Sequence, residues 1–145
     1  MKKPVVGLML ATIAGAALAQ GMTPVGLWKT VDEKTGKEQS YVRITESNGI
    51  LSGKIEKVIE AAKVDAKCEK CTDERKDQPV QGMVIIRNVK KAGDGLWDGG
   101  DVLDPHNGKV YSVRLRPEEG GKTLSVRGYI GMPMLGRSQS WIRIE

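Results

Sequence analysis

Few side chains in this sequence have types and spacings that could do chemistry. Cys68 and Cys71 form a Cys-x-x-Cys pair. Three chemistries suit that spacing: a disulfide closing a small loop, a redox-active dithiol, or half of a metal site. A redox pair is usually set between a strand and a helix that lowers one thiol pKa, and no βαβ pattern surrounds this one. A metal site needs further ligands, and the chain holds a single His, His106, and no second Cys pair. The disulfide is therefore the expectation, with no metal and no cofactor. His106 sits in Asp104-Pro105-His106-Asn107-Gly108, whose Pro and Asn-Gly are turn residues. One turn His does not build a Ser-His-acid or Cys-His constellation, so no catalytic residue is assigned and no enzyme is expected.

Two other groups suggest binding. Arg127 and Tyr129 share one face of a strand, and guanidinium and phenol together can grip a carboxylate. Yet if Leu124, Val126 and Ile130 point inward, that pair points outward, as an exposed cross-strand pair. Met132-Pro133-Met134-Leu135 is an apolar loop. It reads as a ligand portal or a self-association patch, or else as a lid that only completes the core.

These residues must be positioned by strands. Turn signals recur at short intervals: Thr35-Gly36, Ser47-Asn48-Gly49, Ala92-Gly93-Asp94-Gly95, Asn107-Gly108 and Glu118-Glu119-Gly120-Gly121. Between them lie eight runs of strand character, near 25–31, 38–46, 50–58, 82–90, 96–103, 109–116, 123–130 and 138–144. The pattern predicts an all-β, eight-stranded up-and-down antiparallel barrel. The last strand ends the chain and would leave an open edge unless it pairs with the first, around Gly26-Leu27-Trp28. One connection breaks the hairpin rhythm: a long polar loop between strands 3 and 4 carries both Cys, with a helical turn expected in 61–66. Strand alternation nominates Trp28, Ile44, Ile55, Ile85, Leu103, Val113, Val126 and Trp141 as walls around a small hydrophobic ligand. A side-chain-filled barrel serving as an interaction module is the alternative.

The N-terminus carries an address. Lys2 and Lys3 precede an apolar run from Val5 to Ala16, and Ala17-Leu18-Ala19 offers a cleavage site. Residues 1–19 thus read as a secretory signal peptide, too short an apolar run for a membrane anchor, and 20–145 as one domain, periplasmic or secreted. The formal net charge of +5 loses Lys2 and Lys3 on export, leaving 21 basic against 18 acidic side chains, a net of +3. The charges are interspersed, without the basic stripe and interleaved aromatics that nucleic-acid binding needs.

Gly26-x-Trp28 on the first strand with Arg143 (or Arg137) on the last resembles the lipocalin signature, in which the Arg stacks over the indole. Further along come Gly53-Lys54-Ile55, Cys68-Glu69-Lys70-Cys71, Lys76-Asp77-Gln78-Pro79, Leu103-Asp104-Pro105, Asn107-Gly108-Lys109-Val110-Tyr111, Val126-Arg127-Gly128-Tyr129-Ile130-Gly131 and Leu135-Gly136-Arg137. In that order the series resembles a domain-of-unknown-function family of short exported bacterial proteins with a lipocalin-like (calycin superfamily) barrel. The resemblance implies that fold and an envelope location, and no established activity.

Overall fold

The computed structural model describes residues 2–5, 7 and 22–145. The expected cleavage site after Ala19 lies outside the described residues. Eight antiparallel strands follow in chain order: β1 (Gly26–Val31), β2 (Glu38–Ser47), β3 (Ile50–Val58), β4 (Val84–Gly93), β5 (Leu96–Asp104), β6 (Lys109–Glu118), β7 (Thr123–Tyr129) and β8 (Arg137–Arg143). Each pairs with its sequence neighbour, and β8 returns to β1 through Trp28↔Arg143 and Lys29↔Ile142, closing the barrel. Closure leaves no sheet edge open.

Alternation sets the inward face. In β2, Val42 and Ile44 are fully buried while the following Thr45 to Ser47 are exposed. Where alternation fails, a bulge explains it. Ile85 and Ile86 are both buried because the β3–β4 ladder shifts register between Gly53↔Ile86 and Lys54↔Val84. Strand β4 starts at Val84, two residues later than periodicity suggests, because Gly82 takes a left-handed turn at φ 90°. Strand β7 stops at Tyr129, leaving Ile130 exposed at the start of the next loop. The helical turn expected over 61–66 is reduced to one 3-10 turn, Ala61–Lys63.

One end of the barrel is plugged. Trp28 is wholly buried, its indole Nε1 donates to the Pro24 carbonyl at 2.7 Å, and the Arg143 guanidinium lies 4.2 Å over its ring. Arg143 also donates to the carbonyls of Thr23 at 2.5 Å, Val25 at 3.0 Å, Gly121 at 2.6 Å and Glu145 at 3.1 Å. One planar fork thus satisfies the segment leading into β1, the residues after β8 and the β6–β7 turn together. Gly26 is where it is because a Cβ there would meet the Glu145 carbonyl and the Arg143 guanidinium.

The loop between β3 and β4, the Cys loop, is ordered by its own contacts. Cys68 and Cys71 form a disulfide and are buried. Lys67 bridges Pro79, and Val80 donates to the Ala66 carbonyl at 2.9 Å, so the loop folds back as a ribbon. Its far limb is fastened by Arg75, which is 6% exposed, pairs with Asp73 at 2.6 Å and donates to the Val84 carbonyl at 2.9 Å. Hydrogen bonds from the Arg75 side chain and then its backbone hold the Asp73 carboxyl down at about 2. A depressed carboxyl stabilises the fold above its ordinary value near 3.8, and that stabilisation is lost as pH falls through about 2. Amide exchange across 73–84 is therefore expected to accelerate selectively as pH falls below about 3, and Asp73→Asn should abolish the acid transition. Exchange that speeds up equally along the whole barrel would contradict this.

Candidate functional site

The turns β1–β2, β5–β6, the Cys loop and the β7–β8 loop all lie at the end opposite Trp28, because hairpin order sends alternate connections to opposite ends. A cavity of about 730 Å³ opens there, within the range that holds a small organic ligand. Its apolar side includes Val42, Ile55, Val58, Val102, Val126 and Trp141. A polar strip faces it from β1, β2 and β8. The Thr30 and Ser40 hydroxyls share a hydrogen bond of 2.8 Å, and Trp141 Nε1 donates to Gln139 Oε1 at 3.2 Å. At the rim, the Asn107 amide donates to the Tyr111 hydroxyl at 3.1 Å.

The residues nominated from sequence divide by depth. Ile55, Ile85, Leu103, Val126, Trp141 and Tyr129 border the cavity. Leu103 nevertheless pairs in register with Val110, which is 42% exposed, so its strand turns it toward the outer face, where it is itself only 2% exposed. Trp28, Ile44 and Val113 do not border the cavity: Trp28 and Ile44 lie toward the plugged end, and Val113 is wholly buried in the core cluster. Alternation identifies the inward face of a strand and carries no information on height along the barrel axis.

Arg127 corrects the carboxylate-gripping alternative. Its guanidinium donates to the Pro133 carbonyl at 2.7 Å, the Ser138 hydroxyl at 2.9 Å and the Met134 carbonyl at 3.4 Å. It braces the β7–β8 loop and does not border the cavity. Tyr129 reaches the rim without it. The Met loop is not a buried lid: Met132, Met134 and Leu135 are 55%, 72% and 74% exposed around the 3-10 turn Pro133–Leu135. Of Met132, Pro133, Met134 and Leu135, only Leu135 borders the cavity, joined there by the exposed Ile130.

Sequence reasoning missed the polar strip and the lysines of the Cys loop. Thr30 and Ser40 carried a signal, since each lies two residues from an inward residue, Trp28 and Val42. Lys63, Lys67 and Lys70 carried none, because a loop has no period from which to read a face. His106 is exposed in its turn, where its backbone N–H is held by Asp104. Among the described residues no group of three or more His, Cys, Asp or Glu side chains could hold a metal ion, and no helix is long and apolar enough to cross a membrane.

A solved structure of a Helicobacter pylori protein, described as belonging to the lipocalin family, superposes with a TM-score of 0.73. It is 22% identical, over 85% of this chain and 84% of that one, a likeness of fold. No curated protein matches the chain. Residues 26–143 match the family described as uncharacterised proteins conserved in bacteria, DUF2147, and the chain belongs to that family, on a closed lipocalin-like barrel.

Proposed function

We propose that this is an exported binding protein, without catalytic activity, that holds one small, largely apolar molecule such as a fatty acid inside the barrel. The observation that carries this reading is the cavity of about 730 Å³. A barrel serving only as a scaffold would gain stability by filling that volume with side chains. The fold family adds a general expectation of the same kind. Export rests on Lys2-Lys3, the apolar run and Ala17-Leu18-Ala19.

Native mass spectrometry of the protein from its natural compartment, with organic extraction, tests the reading. One extra mass per chain supports it and names the ligand class, whereas a clean apo mass counts against it. A variant sharpens the result. A Cβ at Gly128 meets Tyr111 and Val102 at ordinary contact distances, 3.4 and 3.8 Å, so a larger side chain there can grow into the cavity. Gly128→Trp is expected to lower ligand affinity by about tenfold or more while unfolding near the parent's midpoint. Undiminished binding in that variant would place the ligand elsewhere.

A second reading, self-association through the β7–β8 loop, is favoured by the exposed Met132, Met134 and Leu135. It predicts a concentration-dependent dimer in sedimentation that Met134→Ser with Leu135→Ser returns to monomer.

A further inference from the structure

We propose that the ligand is an anionic amphiphile that binds tail-in, its singly charged head at the mouth against Lys67 and Lys70. The inference rests on the ligand-binding reading of the barrel and adds the head chemistry and its location.

Accounting for the cations leads to these two side chains. Deep in the barrel the cavity offers hydroxyls, an amide and aliphatic groups, and no cation. Arg143 is beyond the floor, committed to four carbonyls and the Trp28 ring. A carboxylate placed deep would be desolvated without a partner, which is costly. The head must therefore stay at the mouth. There Lys63 is paired with Glu60 at 3.2 Å and Arg137 with Glu33 at 2.9 Å, while Arg127 is spent on the loop carbonyls. Lys67 and Lys70 border the same cavity and enter no ion pair among the described residues. Glu69, between them, borders the cavity without a cation of its own and offsets one of the two charges. The Asp104 carboxylate is turned to the His106 backbone N–H. Asp104 keeps its own charge through that bond, so what Lys67 and Lys70 offer a singly charged head is two ammonium groups without an ion-pair partner rather than a net positive mouth.

The backbone under these lysines is held in place. Lys67 bridges Pro79, Cys68 donates to the Gln78 carbonyl at 2.9 Å, and Asp77 donates to the Cys68 carbonyl at 2.8 Å. The disulfide closes the turn between Cys68 and Cys71, and Gly108 of the β5–β6 turn packs against the backbone of Lys70 and Cys71. The Cys loop thus presents two ammonium groups from a fixed backbone at the rim of an apolar cavity.

Calorimetric titration of the delipidated protein with dodecanoate and with dodecanol, below their aggregation limits, tests the inference. The parent should bind the acid about tenfold tighter than the alcohol at low salt, the size expected of two part-exposed ion pairs, with the difference shrinking as salt is added. Lys67→Gln with Lys70→Gln should erase the preference and leave dodecanol binding unchanged, and Glu69→Gln should widen it a few-fold. Both lysines are exposed, so folding of the double variant is expected to match the parent. Equal binding of acid and alcohol by the parent, or a preference that survives the double substitution, overturns the head-group assignment and leaves the binding barrel standing. Failure of both probes to bind overturns the two together.

Discussion

Trp28→Ala is expected to cost the barrel about 3–5 kcal/mol, the range for truncating a large buried aromatic. The indole is wholly buried at the plugged end, and its removal leaves three consequences in one place. A cavity opens beneath the core, the Pro24 carbonyl loses its donor, and the Arg143 guanidinium loses the ring it stacks on. The guanidinium would remain bound to its carbonyls, so relaxation into the vacated space is limited by those four hydrogen bonds. Urea unfolding measures the loss, and a change under about 1 kcal/mol would show that the plug is not a structural keystone. A double-mutant cycle with Arg143→Ala separates stacking from hydrogen bonding. Coupling of about 1 kcal/mol is expected from the cation over the ring. Strict additivity would mean that Arg143 acts through the carbonyls alone.

Gly108→Ala is the second large effect, at roughly 3 kcal/mol in total. Two costs add. At φ 73° a side chain is strained by about 1–2 kcal/mol, and a Cβ would also run into the carbonyl of Lys70 and the nitrogen of Cys71. Backbone on both sides of the contact cannot yield like a side-chain tip. The Cys loop must therefore lift from the β5–β6 turn, and amide exchange across 66–80 should rise with the loss of stability. Gly120→Ala is the matched control. Its φ of 66° carries the same strain, but nothing lies within 4 Å of the added carbon. About 1 kcal/mol is expected there. Equal costs at the two positions would show that the Cys loop does not rest on the turn as described.

Both expectations depend on contacts that differ in how far the sequence reveals them. Gly26, Trp28 and Arg143 were readable because a short motif and two strands that would otherwise be sheet edges leave one economical arrangement, β8 against β1. Gly108 was readable only as a turn glycine. Its role as the seat of the Cys loop comes from Lys70, which is distant in sequence and aperiodic in setting. Arg127 shows the same limit. Alternation turned it away from the barrel interior, yet nothing local indicated that its guanidinium would be consumed by the carbonyls of Pro133 and Met134.

What the sequence determined by itself is what local physics can carry. Period-2 alternation, Asn-Gly and Gly-Gly turns and the absence of helical periodicity specify eight antiparallel strands in hairpin order. The need to satisfy two edge strands then closes them. Tertiary structure alone decided the height of each inward side chain along the axis, which sends Val42 and Ile55 to the cavity and Trp28 and Ile44 to the core. It also decided where the Cys loop lies, and so which lysines stand at the mouth. The physical reason is common to both: height and loop placement are set by register shifts and long-range backbone contacts, and these leave no periodic trace in the residues that obey them.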